Sequence, residues 1–206
     1  LFDIDSRATE YMWFMALNLG NRVAASGSTD SALGRVRTPS PGDRRVYCQA
    51  KDFTYPAIVE AMRQGRTVAT NGGAFFPFFS IEGHGPGEVI ELKDTQTLTA
   101  HMEIHTLQGV RTAQLYRNGI RVWAANLTGR RGPIKLDKSI EETETCWYVL
   151  RVEDQNGRWA ITSPIYLQAS GTPTVQAEAI LLEISNCTRF VELRKTFFAH
   201  VIVTVS

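Results

Sequence analysis

The spacing of hydrophobic residues divides the chain into two parts that meet near residue 72. In the first part, residues 7–19 carry apolar side chains at helical spacing: Tyr11, Phe14, Met15 and Leu19. Asp5-Ser6 supplies an N-cap and Gly20 a stop for this helix. A second helix is predicted after Thr54, with Pro56 in its first turn and Gly65 at its end.

Short apolar or β-branched runs stand between these helices and after them. The runs at 23–26, 46–50 and 67–70 each predict a strand. Alternation of helices with strands is typical of α/β folds. Because about seventy residues are too few for a complete barrel, we expect residues 1–72 to be the last units of a longer α/β domain.

The second part, residues 73–168, consists almost wholly of short strand patterns. Asn118-Gly119 and Asn156-Gly157 supply strong turn signals between them. The regular spacing predicts an all-β, immunoglobulin-like sandwich. Residues 169–206 contain the linker-like stretch SGTPT and two further strand-like runs. These runs either extend the sandwich or begin a further domain, and both ends of the sequence suggest a piece of a longer protein.

Composition excludes little beyond a few classes of partner. The formal net charge is +1, so no charge argument favours nucleic acid. No apolar run reaches the roughly 18 residues that a membrane-spanning helix needs. The three cysteines, Cys48, Cys146 and Cys187, lack metal-site spacing and are predicted to be small buried hydrophobes. The cellular compartment stays open.

The stretch from Gly65 to Gly87, GRTVATNGGAFFPFFSIEGHGPG, joins the two parts and carries a family resemblance. Its Gly-Arg-Thr step, its Thr-Asn-Gly turn and its Gly-x-x-Pro-Gly turn resemble those of the carbaryl-hydrolase-like (CehA/McbA) metallohydrolases of the PHP superfamily. The segments NLGNRVAASGSTDS, PGDRRVY, TAQLYRNGIRV and WYVLRVEDQNGRWAITSPIYL are similar to other parts of that family. The resemblance covers about residues 11–168.

The resemblance implies a metal-dependent hydrolase that cleaves a small ester, carbamate or phosphoester with zinc or manganese. Asp30 matches the aspartate of the family's last metal-binding motif; alternatively, it is a helix-capping or Asx-turn carboxylate. Arg45 and Tyr47 would face an anionic substrate; alternatively, they are a surface salt-bridge residue and a half-buried strand aromatic. Asn71 would orient a ligand or water; alternatively, it is a turn residue with positive φ. The family's second ligand in that motif is histidine, whereas this chain has Ala32.

Two hypotheses follow from the residues and the resemblance. In the first, the chain is the C-terminal piece of a PHP-type hydrolase and is inactive alone, because a lone carboxylate holds a transition metal poorly. In the second, it is a non-catalytic binding module on a degenerate α/β scaffold, which Ala32 favours.

Two further groups of residues have alternative interpretations. His101, Glu103 and His105 alternate on one strand face, but histidines four apart on a strand are roughly 13 Å apart. They are therefore predicted to form a solvated polar face, and His84 a surface turn. Trp123, Trp147 and Trp159 predict either a carbohydrate platform or, as we favour, packing in the core.

Overall fold

Strands with alternating burial build a sandwich of two sheets, and a helix covers the outer face of the larger sheet. The computed structural model describes residues 1–31, 40–73 and 75–170. In chain order the elements are β1 (Phe2–Asp3), α1 (Arg7–Asn18), β2 (Ala25–Ser26), β3 (Arg45–Cys48), α2 (Tyr55–Arg63), β4 (Thr67–Thr70), β5 (Phe75–Ile81), β6 (Val89–Leu92), β7 (Gln96–Thr106), β8 (Thr112–Arg117), β9 (Ile120–Asn126), β10 (Ile134–Glu142), β11 (Cys146–Glu153), β12 (Trp159–Thr162) and β13 (Ile165–Ala169).

The smaller sheet has three antiparallel strands in the order β10–β7–β5. Burial along β7 alternates strictly, since successive side chains of a strand point to opposite faces. Leu98, Ala100, Met102 and Ile104 face the core between the sheets. His101 and His105 therefore lie on the outer face of this sheet, where they are exposed.

The larger sheet is built around β11. This strand pairs with β8 along one edge and with β12 and β13 along the other, all antiparallel. Beyond β8 lies β9; beyond β12 lie β4 and β3, and β6 pairs with β13 in parallel. Every residue of β11 is buried. Tyr148 and Leu150 face the smaller sheet, and Trp147 and Val149 face α1.

The α1 helix covers the outer face of the larger sheet with a buried stripe of Glu10, Trp13, Phe14 and Leu17. Ser6 caps it as predicted: its side chain accepts the Thr9 N–H at 3.3 Å. Tyr11, Met15 and Leu19, although helically spaced, are exposed. The helix instead buries the fully apolar Phe14 ring and the Trp13 ring against the sheet, with the Phe14 ring centre 5.3 Å from that of Trp147.

A buried ionic network joins α1 to the end of β11. Arg151, only 2% exposed, donates from Nε to Glu10 at 3.1 Å and from Nη1 to Glu153. Arg7 contacts both carboxylates from the rim, at 2.6 Å from Glu10 and 3.5 Å from Glu153. Arg111 completes the network by donating to Glu153.

The sandwich expected for the second part is confirmed as antiparallel β-structure, including the hairpin of β8 and β9. Its turn residues Asn118 and Gly119 have φ of 49° and 82°, the left-handed geometry that the Asn-Gly pair favours. Neither helix in the described part of the chain is long and apolar enough to cross a membrane.

The α/β barrel end expected for residues 1–72 is not shown. Helices and strands occur there in the predicted order, but β3 and β4 are antiparallel, and β4 pairs with β12 of the larger sheet. Alternation of helices and strands does not by itself set the direction of the strands. Here the chain reverses through α2, so that β4 lies antiparallel beside β3. Among the described residues of 1–72, only β1 and β2 pair in parallel, with α1 between them. The predicted boundary at residue 72 is thus crossed by the β4–β12 ladder. The strand-like runs after residue 170, and Cys187, lie outside the described residues.

Candidate ligand-binding face

Asp30 follows β2, as the sequence predicts, in an exposed loop with a left-handed φ of 46°. Thr29 ties this loop to the start of β3, since its hydroxyl donates to the Arg44 carbonyl at 2.8 Å. Within residues 1–31, 40–73 and 75–170, no group of three or more His, Cys, Asp or Glu side chains is placed to hold a metal. Asp30 as a metal ligand stays a prediction, and Ala32 lies outside the described residues.

The structure brings Arg45 and Tyr47 together on β3. Arg45 is exposed, and its guanidinium carbon lies 6.0 Å from the centre of the Tyr47 ring. Tyr47 is half-buried against the core between the sheets. Both remain available to a ligand at this end of the strand, so their role in substrate binding stays a prediction.

Asn71 ends the ladder between β4 and β12. Its side-chain Oδ1 accepts the Trp159 N–H at 2.6 Å, while its own N–H donates to the Trp159 carbonyl at 3.2 Å. The positive φ of this turn, 93°, belongs to Gly72 and not to Asn71. The Asn71 side chain therefore continues the hydrogen-bond pattern between the two strands by one position after β4 ends.

An aromatic ladder runs from β3 across the outer face of the smaller sheet. It consists of Tyr47, Phe76, Phe78 and His105, with ring centres separated by 5.2, 4.8 and 5.3 Å in that order. Each ring meets the next nearly edge-to-face, which is a favourable arrangement for aromatic pairs. Phe78 is 51% exposed, so much of the ladder meets solvent.

Polar side chains flank the aromatic ladder on β7 and β10. His101 Nδ1 is 2.8 Å from Asp137 Oδ1, and His105 Nε2 is 2.7 Å from Glu103 Oε1. Lys135 lies 3.6 Å from the other oxygen of Glu103. The hydrogen bond from His105, helped by the charge of Lys135, holds the pKa of Glu103 below its usual value. The predicted polar face thus exists, and its histidines are paired with acids.

A groove of about 1050 Å³ lies beside the ladder, between the ends of β3 and β4 and the outer face of the smaller sheet. Tyr47, Phe76 and Phe78 line it. From β7 and β10, the polar side chains that line it are His101, Glu103, Lys135 and Asp137. Arg66 lines its β4 wall, and the buried Nε of Arg66 has no hydrogen-bond partner in the described part of the chain.

The free edge of β5 also borders the groove, and Pro77 lies in its middle. Ile81 exchanges backbone hydrogen bonds with His84 on that edge, whereas the Glu82 N–H points to Thr99 of β7. By the alternation of a strand, the backbone of Pro77 faces the free edge as well. Because proline has no N–H to offer, this edge is poorly suited to pair with a further strand.

Sequence reasoning missed Phe76, Phe78, Arg66 and Asp137. The two phenylalanines could have been found from the run FFPFF, since Phe76 and Phe78 must face outward when Phe75, Pro77 and Phe79 face inward. Asp137 meets His101 only through the register of β10 on β7, which no local pattern encodes.

The three tryptophans do not build a shared exposed platform. Trp147 and Trp159 are buried beneath α1, and Trp123 is partly buried against the other core. Their packing interpretation is confirmed. His84 lies in a surface turn, 3.6 Å from Glu88. No family model matches the chain, and no curated protein is significantly similar to it.

Proposed function

We propose that the chain is a non-catalytic binding module whose groove holds a carbohydrate. The observation that carries this proposal is the exposed aromatic ladder beside the His101–Asp137 and Glu103–His105 pairs. Binding sites generally combine apolar walls with a few placed polar groups. A sugar fits this combination, because its C–H faces pack on aromatic rings while its hydroxyls both donate and accept hydrogen bonds.

The polar groups of the groove match hydroxyls better than they match a peptide backbone. Carboxylates accept hydrogen bonds, imidazoles do either according to tautomer, and Lys135 donates. An extended peptide would bind most simply by adding to the edge of β5. Pro77 disfavours that mode, because the middle of the edge lacks an N–H.

A glycan array followed by calorimetry tests the proposal. The wild type should bind at least one oligosaccharide, and Phe78→Ala should weaken that binding about tenfold, or about 1.4 kcal/mol. Ile120→Ala is the matched control, since Ile120 is 71% exposed on β9 and lies outside the groove. Equal binding by Phe78→Ala and the wild type, or no binding to any glycan, would contradict the proposal.

The hydrolase-fragment hypothesis stays a second proposal, supported by the resemblance and by one observation. The β1–α1–β2 segment is a parallel βαβ unit, and Asp30 follows its second strand, where active-site residues of α/β folds commonly lie. In the intact hydrolase, a metal-bound hydroxide would attack the ester or phosphoester.

Metal analysis and the upstream coding sequence separate the two proposals. The chain alone should hold no stoichiometric zinc or manganese and should not hydrolyse a phosphoester. One metal per chain together with hydrolysis, both lost in Asp30→Asn, would favour catalysis over the binding module. A His-x-His motif encoded before Leu1 would support the hydrolase.

A further inference from the structure

We infer that the carbohydrate carries a single carboxylate, as a uronic acid does, and that Arg66 binds it. This inference rests on the proposed carbohydrate binding. Arg66 is held in place by its backbone: its N–H donates to the Ala61 carbonyl at 2.9 Å, and its carbonyl accepts the Gln49 N–H at 2.9 Å. These bonds fix the backbone of Arg66 where α2 ends and β4 begins, and Arg66 lines the wall of the groove there.

The guanidinium of Arg66 has no carboxylate partner in the described part of the chain, whereas several other arginines of the fold have one. Arg7, Arg111, Arg117 and Arg151 all pair with carboxylates. Among the described residues, Arg66 forms no ion pair, and its buried Nε has no acceptor. A buried N–H without an acceptor is costly, but this Nε is shielded from the groove. Because Arg66 lines the groove and its guanidinium has no hydrogen bond to a described residue, its terminal N–H groups are the donors left for a ligand.

Carboxylate is the ligand group that best fits this donor. Two parallel N–H groups of a guanidinium match the two oxygens of a carboxylate, which gives geometric as well as electrostatic selectivity. A neutral hydroxyl offers one acceptor atom where a carboxylate offers two, and it would leave the charge unpaired. The end of the groove formed by β3 and β4 is therefore assigned to the acidic group of the ligand.

The opposite wall limits the ligand to few negative charges. Glu103 and Asp137 line the groove on β7 and β10, and the lowered pKa of Glu103 keeps that group ionised at neutral pH. Lys135 also lines this wall but already lies 3.6 Å from Glu103. The two acids outnumber it, so they repel a second carboxylate placed there. The Tyr47, Phe76 and Phe78 rings lie between the two walls and suit a neutral sugar ring. The fitting ligand is thus an oligosaccharide with one uronate, and not a densely charged polyanion.

The test compares three forms of each oligosaccharide backbone on the array: neutral, with one uronate, and with every sugar a uronate. The form with one uronate should bind about tenfold or more tightly than its neutral counterpart, which is the range for one charge-assisted contact. In Arg66→Gln this preference should disappear, while binding of the neutral form stays unchanged. Arg63→Gln, an exposed arginine at the end of α2, is the matched control and should retain the preference.

Thermal unfolding of the same variants distinguishes a role of Arg66 in ligand binding from a role in stabilising the fold. Because Arg66→Gln removes a buried N–H that has no acceptor, its Tm should equal or exceed that of the wild type. Arg66→Lys keeps the positive charge but loses the two parallel N–H donors of the guanidinium. It should therefore retain only part of the preference for the form with one uronate. A large fall in Tm for both variants would assign Arg66 a structural role and overturn the inference.

The outcomes distinguish failure of this inference from failure of the proposed function. Equal affinity for the neutral and singly acidic forms, or an unchanged preference in Arg66→Gln, overturns the role of Arg66 but leaves carbohydrate binding intact. Tightest binding to the fully acidic form overturns the assignment to a single uronate. No binding to any form overturns both proposals.

Discussion

Replacing Arg151 with methionine should destabilise the fold by about 3 kcal/mol. Removing one partner of a buried ion pair typically costs about 3–5 kcal/mol, because the remaining charge keeps its desolvation penalty without compensation. Here two carboxylates, Glu10 and Glu153, lose their shared partner. Arg7 stays within 2.6 and 3.5 Å of them and offsets part of the loss, which places the effect at the low end of the range.

Urea unfolding at pH 7, followed by tryptophan fluorescence, measures this loss. The guanidinium of Arg151 lies 5.8 Å from the Trp159 ring, so the probe reports on the same layer. With a slope near 2 kcal/mol per molar urea, the midpoint should fall by about 1.5 M. Arg7→Met is the matched control. Its guanidinium belongs to the same network but its side chain is 58% exposed, so it should cost less than about 1 kcal/mol.

The pH dependence of the difference in unfolding free energy between the wild type and Arg151→Met provides an independent check. Burial raises the pKa of Glu153, but the hydrogen bond and charge of Arg151 and the charge of Arg111 outweigh it, so this pKa lies below its ordinary 4.5. A lowered pKa stabilises the fold above the unfolded value, and that stabilisation is lost as pH falls through the folded value. The gap between wild type and Arg151→Met should therefore narrow below about pH 4.5. A loss no greater than that of Arg7→Met, or a gap that widens in acid, would refute the reasoning.

Three further substitutions or measurements test other contacts. Asn71→Ala should lower the free energy of unfolding by about 1–2 kcal/mol, because the Trp159 N–H loses its acceptor. A Tm equal to that of the wild type would contradict this. Asn71→Asp keeps an acceptor oxygen and should retain most of the wild-type stability. Glu142→Gln should lower the free energy of unfolding, measured by calorimetry, by about 2–3 kcal/mol. The reason is that Glu142 accepts hydrogen bonds from Arg117 at 2.7 and 2.9 Å and from the Tyr148 hydroxyl. A loss of stability smaller than that of Tyr148→Phe would argue against it. Burial raises the pKa of Cys146 to about 12, so a thiol reagent at pH 8 should label Cys146 only on unfolding, and Cys146→Ser should leave the fast labelling phase unchanged.

Local features of the fold were predictable because local chemistry determines them. The Asn118-Gly119 turn needs two left-handed residues, which few other pairs supply. The Ser6 cap and Gly20 likewise fix the ends of α1. The strand positions in residues 73–168 followed from alternation and turn residues alone.

Long-range pairing was not predictable from the same patterns. The TVAT run of β4 predicts a strand but not its neighbours, β3 and β12, nor their antiparallel direction. The stripe of α1 that packs on the sheet depended on Trp147 and Trp159, more than a hundred residues away in the chain. Both aromatic and ionic parts of the groove arise from such distant pairing.

The candidate site was missed for the same reason. His101 and His105 were recognised as sharing a face, but their acidic partners depend on register and on side-chain direction. Arg66 belongs to the conspicuous Gly-Arg-Thr step, yet only the folded chain reveals that it lacks a partner. A sequence shows which groups are present, and the fold determines which remain unsatisfied.

Complete burial of β11 has a consequence for the rates at which backbone amides exchange with solvent. Its two faces are covered by different layers and its two edges by other strands, so residues 146–153 reach water only when the whole assembly opens. β5 has one free edge, so its backbone amides reach solvent deuterium without opening of the whole sandwich. The groove therefore borders a strand whose amides should exchange faster than those of β11, and a bound ligand would slow exchange there.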